Sequence, residues 1–161
     1  MNNLVTNFIS EKAKIGKNVR IWHFAYVGDN TEIGDNVKIG SLSHIDYNVK
    51  IGQDTMIEGL VYIPPLSRIG KNVFIGPSAA LTNDPYPASR KLAGITVEDN
   101  VIIGSRAVLK AGITVGKNSV IAMGAVVTKD VPPDVVVIGV PATIRYSRQQ
   151  YDEKKKNWEL S

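Results

Sequence analysis

An aliphatic residue recurs at every sixth position of this chain, and this period constrains the fold more than any other sequence feature. An α-helix cannot collect such residues on one face, because six residues turn a helix of 3.6 residues per turn through about 600°. A short strand followed by a corner, repeated every six residues, can bury all of them. The first run is Ile9, Ile15, Ile21, Val27, Ile33, Ile39, Ile45, Ile51, Ile57, Ile63, Ile69, Ile75 and Leu81.

The residues between these aliphatics are typical of corners. Glycine often follows the aliphatic residue, and asparagine often stands three positions after it; both tolerate the positive φ angles of tight turns. Three hexads then make one triangular coil of about 18 residues, and coils stack about 4.8 Å apart. The nineteen hexads predict roughly six coils of an all-β, parallel β-helix. The asparagines are Asn18, Asn30, Asn36, Asn48, Asn72, Asn100 and Asn118.

The period is interrupted once. Sixteen residues separate Leu81 from Val97, which is ten more than one hexad, and the spacing then resumes through Val127. We therefore expect one inserted loop at about residues 82–94. The polar tail after residue 145 predicts a short C-terminal helix, whose surface the side chains of Lys154, Lys155 and Lys156 solvate.

Residues 18 positions apart should stack on neighbouring coils, so the outer faces can be read from the sequence. One face is solvated and has opposite charges as cross-strand neighbours, whereas the other two become apolar toward the C-terminal half. Apolar columns on the outside of a folded prism predict burial against a second copy of the chain. The charged column begins Lys14, Glu32, Lys50, Arg68; the others are Arg20, Lys38, Met56, Phe74, Ile102, Val120 and Phe8, Tyr26, His44, Tyr62, Ala80, Val108, Val126.

Composition excludes several classes of protein. The chain has no cysteine, which excludes disulfides, zinc–thiolate sites and a thiol nucleophile. The first twelve residues lack the pattern of a signal peptide, and no window approaches 18 consecutive apolar residues. We expect a cytoplasmic protein with no membrane partner. The net charge of +4 suits an anionic small ligand, and we expect no nucleic-acid partner.

The segment from Gly104 to Arg145 contains VVTKDVPP followed by GVPA, and with the hexads it resembles the hexapeptide-repeat acyltransferase superfamily. The resemblance covers about residues 8–145. It implies a left-handed β-helix, a homotrimer, and acetyl-CoA bound as co-substrate in the groove between adjacent prisms, with no metal. It also implies an acyltransferase domain at residues 1–145, followed by a helical tail at 146–161.

The resemblance assigns the cofactor-binding residues. Gly104, Ser105, Ala122 and Gly124 are expected along the pantetheine arm, where small corner residues let an extended ligand approach the backbone. Lys129 and Arg145 are expected at the phosphates.

Two further motifs narrow the resemblance to the N-acetyltransferases of nucleotide-linked 3-amino sugars used for surface polysaccharides. They are IWHF at residues 21–24 and FIGPSAALTN at residues 74–83. The resemblance places Asn83 in the active site and lets the inserted loop embrace the neighbouring subunit's site. That subgroup favours Gln-Asn and Asn-Asn pairs at two corners where this chain has Ser41-Leu42 and Gly59-Leu60, so a different sugar pocket is expected.

The candidate polar residues each have a structural alternative. Asn83 is a catalytic candidate that positions the substrate or thioester carbonyl, and Asp84 one that orients or deprotonates the amine, although both also suit an ordinary turn. Glu58, the third catalytic candidate, is either a site residue or a surface charge. Trp22 and His23 are expected to bind the sugar nucleotide.

Three alternatives compete with N-acetylation. Related O-acetyltransferases place a histidine shortly after the loop asparagine, and this loop contains none. A γ-class carbonic-anhydrase-like protein binds zinc through three histidines, whereas this chain has only His23 and His44, and packing at an interface is the expected role of His44. A non-catalytic β-helix does not account for the insertion or for the VVTKDVPP segment.

Overall fold

The computed structural model describes residues 7–161, which form a left-handed parallel β-helix followed by one α-helix. The predicted fold class is confirmed. Two predictions depend in part on residues 1–6, which lie outside the described residues. They are the start of the acyltransferase domain at residue 1 and the absence of a signal peptide at the N-terminus.

The strands are mostly two residues long, because each hexad has one outward and one inward residue before the chain turns. In chain order, the first ten are β1 (Phe8–Ile9), β2 (Lys14–Ile15), β3 (Arg20–Ile21), β4 (Tyr26–Val27), β5 (Glu32–Ile33), β6 (Lys38–Ile39), β7 (His44–Ile45), β8 (Lys50–Ile51), β9 (Met56–Ile57) and β10 (Tyr62–Ile63). The rest are β11 (Arg68–Ile69), β12 (Phe74–Ile75), β13 (Ala80–Leu81), β14 (Thr96–Val97), β15 (Ile102–Ile103), β16 (Val108–Leu109), β17 (Thr114–Val115), β18 (Val120–Ile121), β19 (Val126–Val127), β20 (Val135–Ile138) and β21 (Thr143–Ser147).

These strands form three parallel sheets, one on each side of the prism. Sheet A has the order β1-β4-β7-β10-β13-β16-β19, sheet B the order β2-β5-β8-β11-β14-β17, and sheet C the order β3-β6-β9-β12-β15-β18-β20-β21. Paired residues of the parallel strands are mostly 18 apart, as in Phe8 with Tyr26. They are 28 apart across the insertion, as in Phe74 with Ile102, and 16 apart between β18 and β20, as in Val120 with Val136. The three outer columns predicted from the sequence are therefore confirmed residue by residue.

The aliphatic column fills the interior of the prism. From Val27 to Val127 the inward residue of every hexad is buried, and it packs with smaller residues such as Val37, Val61 and Ala79. Buried hydroxyls also lie inside; Thr31 donates to Asp46 O (2.7 Å) and Ser43 to Glu58 O (2.9 Å). These bonds satisfy polar groups that would otherwise destabilise a dry core.

The edge that joins sheet B to sheet C, called the B–C edge, contains a column of residues with positive φ. Its side-chain amides form a chain from coil to coil; Asn18 Nδ2 donates to Asn36 Oδ1 (3.2 Å) and Asn36 Nδ2 to Asp54 Oδ1 (2.9 Å). The chain resumes at Asn72, which donates to Asn100 Oδ1 (2.9 Å). The column is Asn18, Asn36, Asp54, Asn72, Asn100, Asn118 and Asp134.

The edge that joins sheet C to sheet A, called the C–A edge, comprises residues 22–24, 40–42, 58–60, 76–78, 104–106 and 122–124. Its positive-φ positions include Phe24, Leu42 and Leu60, where a bulky side chain costs about 1 kcal/mol each relative to glycine. Their side chains are 62%, 54% and 57% exposed. Three bulky apolar residues are thus held exposed in an unfavourable backbone conformation.

The remaining segments differ in how well the sequence predicted them. No helix or strand interrupts the inserted loop between β13 and β14, as expected. A seventh coil, which the hexads did not predict, continues through Val131, paired with Val115, and β20, paired with β18. The spacing from Val127 to Val131 is two residues shorter than a hexad, so the inward residues Val131 and Val137 lie outside the six-residue frame.

The C-terminal helix is confirmed and is labelled α1 (Arg148–Glu159). Its N-cap is Ser147, whose side chain and that of Gln150 form a capping box. The strand β21 pairs antiparallel with β20 and ends at Ser147, two residues beyond the predicted division at residue 145. The chain therefore leaves the prism through a strand before the helix begins.

Candidate functional site

A cavity of about 390 Å³ lies beside the C–A edge in the N-terminal half of the prism. Trp22, Gly40 and Glu58 belong to one column, on three successive coils. Because Gly40 has no side chain, a notch separates the indole of Trp22 from the carboxylate of Glu58. The cavity is lined by Trp22, Lys38, Gly40, Ser41, Met56, Ile57, Glu58 and Gly59.

The lining combines an aromatic wall with a few polar groups. Lys38 contributes an ammonium group, Glu58 a carboxylate and Ser41 a hydroxyl, while Met56 and Ile57 are apolar. A β-carbon on Gly40 would overlap the backbone of Gly59, so the notch also depends on close stacking of the coils. Such a pocket can hold a polar ring compound by stacking and hydrogen bonding.

The structure brings two of the predicted site residues, Trp22 and Glu58, into this cavity. His23 follows Trp22 in the chain, and its ring lies edge-on to that of Phe24, with centroids 6.5 Å apart. Lys38, Ser41 and Met56 were not predicted as site residues. Lys38 and Met56 could have been identified as lining residues from the sequence, because they are neighbours in the outer column of sheet C and lie close to Gly40.

Asn83 and Asp84 lie at the edge that joins sheet A to sheet B, called the A–B edge, where the inserted loop begins. The backbone carbonyl of Asn83 accepts a hydrogen bond from Ala93 N (2.7 Å), which closes the loop, and its side chain is half-buried. Asn83 is therefore held in place by its main chain, which leaves its amide group for a ligand or a neighbouring subunit.

The Asp84 carboxylate accepts hydrogen bonds from two backbone groups of the loop, Ser89 N (2.7 Å) and Tyr86 N (2.9 Å). The bond from Ser89, with that from Tyr86, lowers the pKa of Asp84 below the ordinary value of 3.8. This geometry favours the turn interpretation, because a carboxylate with a lowered pKa is a weak base.

The predicted cofactor residues fall into two groups. Gly104, Ser105, Ala122 and Gly124 all lie on the C–A edge, in the same line as the cavity but on later coils. Lys129 lies on the A–B edge, and Arg145 is an exposed residue of β21. Gly124 has φ +67 and open space around its missing β-carbon.

Sheet A separates these two edges within one protomer. Its outer column begins with stacked rings: Phe8 and Tyr26 have centroids 4.9 Å apart, and Tyr26 and His44 have centroids 4.4 Å apart. The ring of Tyr62 follows His44 at 5.6 Å. Burial and the nearby Asp46 carboxylate raise the pKa of Tyr62. Asn83 and the cavity thus lie on opposite sides of an apolar face.

In residues 7–161, no group of three or more His, Cys, Asp or Glu side chains is arranged to hold a metal ion. Within the same residues, α1 is too short and too polar to cross a lipid bilayer.

Two family models match the chain. Residues 12–46 match the model described as bacterial transferase hexapeptide (six repeats), and residues 94–129 match the model described as hexapeptide repeat of succinyl-transferase. The matches lie on either side of the inserted loop.

Curated relatives are similar over about half of the chain. Galactoside O-acetyltransferase of Escherichia coli (strain K12) is 42% identical over 81 residues, which are 45% of this chain and 40% of that protein. 2,3,4,5-Tetrahydropyridine-2,6-dicarboxylate N-acetyltransferase of Staphylococcus aureus (strain JH9) is 40% identical over 86 residues, which are 53% of this chain and 35% of that protein. The matched segments thus span well under half of each relative.

A solved structure shares the fold. PerB from Caulobacter crescentus, in complex with CoA and GDP-perosamine, has a TM-score of 0.58 and 23% sequence identity. The similarity covers 87% of this chain and 54% of PerB.

Proposed function

This chain belongs to the hexapeptide-repeat acyltransferase superfamily, and from that premise we propose that it is an acetyl-CoA-dependent N-acetyltransferase. The proposed acceptor is an amino sugar, specifically a nucleotide-linked 3-amino sugar that supplies surface polysaccharide. We propose a cytoplasmic location and no metal cofactor. The curated relatives are acetyltransferases by name, and the PerB structure contains CoA together with a nucleotide-linked sugar.

One observation carries this proposal: the cavity and four of the expected cofactor residues lie on the same edge of the prism. The cavity occupies the early coils of the C–A edge, and Gly104, Ser105, Ala122 and Gly124 occupy its late coils. A CoA thioester that lies along the late coils, with its phosphates toward the C-terminal end, points its acyl group at the cavity. The cavity is then the acceptor site, with Trp22 stacking against a planar ring.

A second copy of the chain is needed to bring Asn83 to this edge, and we propose a homotrimer. In a ring of parallel prisms, the A–B edge of one copy faces the C–A edge of the next. In such a ring, the same residue of each copy lies at the same height along the prism axis. Asn83 of one copy then lies between the heights of residues 76–78 and 104–106 on the C–A edge of its neighbour. Lys129, also on the A–B edge, would face the same groove.

The chemistry requires little more than positioning. A neutral amine attacks the thioester carbonyl, the carbon–sulfur bond breaks, and CoA leaves with the proton that the amine loses. The Asn83 amide would donate to the carbonyl oxygen as negative charge develops there. Glu58 would accept a hydrogen bond from the neutral amine and direct its nitrogen toward the carbonyl carbon.

O-acetylation is the alternative that a specific observation favours, since one curated relative is a galactoside O-acetyltransferase. A hydroxyl acceptor needs a stronger base than an amine does. The inserted loop has no histidine, and its Asp84 carboxylate is occupied by backbone donors. We therefore favour the amine acceptor.

The test uses purified protein, acetyl-CoA and a panel of dTDP- and UDP-linked 3- and 4-amino sugars, with release of free thiol as the measurement. We expect turnover with at least one amino sugar, and Asn83→Ala should lower kcat about 100-fold, as loss of one oxyanion donor does. Asp84→Asn is the matched control, because Asp84 shapes the same loop. Turnover only with hydroxyl acceptors would refute the amine, and an unchanged rate in Asn83→Ala would remove Asn83 from the site.

A further inference from the structure

The outer face of sheet C has two positively charged residues as direct cross-strand neighbours. Arg20 of β3 pairs with Lys38 of β6, and the next residue in this column is Met56. Like charges directly opposite each other on neighbouring strands destabilise a sheet. In the part of the chain that the structure describes, neither side chain forms an ion pair with a carboxylate. The two positive charges are therefore uncompensated within the protomer.

On sheet B, by contrast, the charged residues of the same early coils alternate in sign. Glu32 lies between Lys14 and Lys50, and its carboxylate is 3.7 Å from the Lys14 ammonium nitrogen and 3.2 Å from that of Lys50. Each cation of that column thus has a carboxylate neighbour. The different arrangement on sheet C indicates that its two cations serve an anion from outside the protomer.

Lys38 lies at the boundary between two cavities. On one side is the acceptor cavity, which also contains Trp22 and Glu58. On the other side is a cavity of about 460 Å³, which Lys38 shares with Arg20 and with residues of the B–C edge. A ligand that occupies the acceptor cavity and extends toward the B–C edge therefore passes both cations.

We infer that Arg20 and Lys38 bind the diphosphate of the nucleotide-linked acceptor; the inference rests on the proposed function for the identity of that acceptor. Neighbouring strands place the two residues about 4.8 Å apart, which suits two adjacent phosphate groups. The guanidinium group of Arg20 can donate two hydrogen bonds to one phosphate, and the ammonium group of Lys38 acts as a point charge on the other. A sugar attached to this diphosphate reaches the notch between Trp22 and Glu58, where its amine is required.

The diphosphate of CoA is the less suitable occupant of this position. Arg20 is separated from Val120, in the same outer column, by five strand-to-strand steps, or about 24 Å. The residues expected at the CoA phosphates, Lys129 and Arg145, follow Val120 toward the C-terminal end of the prism. A CoA molecule along the late coils therefore keeps its phosphates far from Arg20 and Lys38.

The test measures binding of dTDP, UDP and CoA to the purified protein by isothermal titration calorimetry. A nucleoside diphosphate should bind the wild-type chain with or without CoA, and its affinity should fall as the salt concentration rises. Arg20→Gln and Lys38→Gln should each raise its Kd about tenfold, as loss of one charged hydrogen bond does, and leave the Kd of CoA unchanged. Lys14→Gln is the matched control, because Lys14 is a cation of the same early coils, and it should leave both Kd values unchanged.

The same two variants test the role of the cations during turnover. Arg20→Gln and Lys38→Gln should raise KM for the nucleotide-linked amino sugar about tenfold and leave KM for acetyl-CoA unchanged. The Tm of each variant should be no lower than that of the wild type, because each removes a like-charge neighbour.

Several outcomes would overturn the inference. They are equal affinity for the nucleoside diphosphate in the wild type and both variants, absence of nucleoside diphosphate binding, and weaker binding of CoA in both variants. A smaller molecular mass of both variants by light scattering would assign the cations to a subunit contact instead. If nucleoside diphosphate binding depends on Arg20 and Lys38 but no amino sugar releases thiol from acetyl-CoA, the diphosphate site stands and the proposed function fails.

Discussion

At the scale of single residues, the amide chain on the B–C edge is interrupted at Asp54. This carboxylate accepts from Asn36 Nδ2 (2.9 Å) and from Gln53 Nε2 (3.1 Å), but it has no proton to donate toward Asn72 on the next coil. Asn72 donates to Asn100 and so starts a second chain that runs in the same direction toward the C-terminal coils. The column is thus two separate chains of amides.

Asp54→Asn should join the two chains. The new amide can donate to Asn72 Oδ1 and still accept from Asn36, at a position whose positive φ asparagine tolerates. One added hydrogen bond predicts a gain of about 1 kcal/mol in the free energy of unfolding. Thermal unfolding checks this, with Asp35→Asn on the preceding coil as the control. An unchanged or lower Tm for Asp54→Asn would show that Gln53 already compensates.

Asp84 predicts the pH dependence of the inserted loop. Because its pKa is lowered, its stabilisation of the loop is complete above the ordinary value of 3.8 and is lost as the pH falls through the lower folded-state value. The pH profile of kcat/KM between roughly pH 5 and 8 should therefore keep its shape in Asp84→Asn. If the acid limb of the profile moves in that variant, Asp84 is the base after all.

The sequence predicts residue positions well where one interaction dominates. Ile39 and Ile75 are buried because only the interior of the prism accommodates an aliphatic at every sixth position. The two backbone donors that occupy Asp84 could not be predicted, since they depend on how the loop folds back on itself. The cavity lining was also missed in part, because Lys38 reads as one more surface charge until Gly40 is seen to leave space beside it.

At the scale of elements, α1 is attached to the prism chiefly by Arg148. Arg148 Nη1 donates to Asn118 O (2.8 Å) and Asn100 O (3.2 Å), two carbonyls of the B–C edge, and Arg148 Nε donates to Asp152 (2.9 Å). None of the residues of α1 is buried. The helix is therefore positioned by its first residue and by the preceding strand β21.

Arg148→Ala should release α1 from the B–C edge. Two partly buried carbonyls would lose a charged donor, which predicts a loss of about 1–3 kcal/mol. Far-UV circular dichroism and protection of the helix amides from hydrogen exchange would measure this. Lys155→Ala is the matched control, because Lys155 makes only an exposed ion pair with Glu159 at 3.7 Å. Equal protection in the two variants would contradict the role of Arg148.

The sequence predicted elements where the hexad period holds and failed where the period breaks after Val127. The inserted loop follows directly from the ten additional residues between Leu81 and Val97. The seventh coil could not be found in the same way, because the spacing from Val127 to Val131 is two residues shorter than a hexad and shifts Val131 and Val137 out of the frame. Antiparallel pairing of β21 with β20 was likewise unpredictable, since it departs from the repeat.

At the scale of the whole molecule, the apolar faces determine the assembly that we propose. Sheet A has the aromatic rings of Tyr26 and Tyr62 on early coils and the smaller Val108 on late coils, and Val108 is 39% exposed. Sheet B is charged and includes the pair Lys50–Glu32, at 3.2 Å. A ring that buries sheet A and leaves the charged sheet B in water fits this distribution, and it brings the A–B edge of one copy to the C–A edge of the next.

The trimer predicts a mass of three times 17.5 kDa by light scattering, and a Tm that rises with protein concentration. Val108→Lys on sheet A should give a folded monomer, because a charge would be buried at the subunit contact. Thr114→Lys on sheet B should leave the mass unchanged. A wild-type monomer, or a Val108→Lys trimer, would contradict this arrangement.

The uniform register of the coils has an evolutionary consequence. Before the inserted loop, every coil pairs with the next at an offset of 18 residues, as Lys14 does with Glu32 and Glu32 with Lys50. Duplication or deletion of one coil, 18 residues long, therefore keeps each inward aliphatic and each corner in its place. Descendants of such a gene can lengthen or shorten their barrel in whole steps, and so shift the spacing between donor and acceptor without redesigning either.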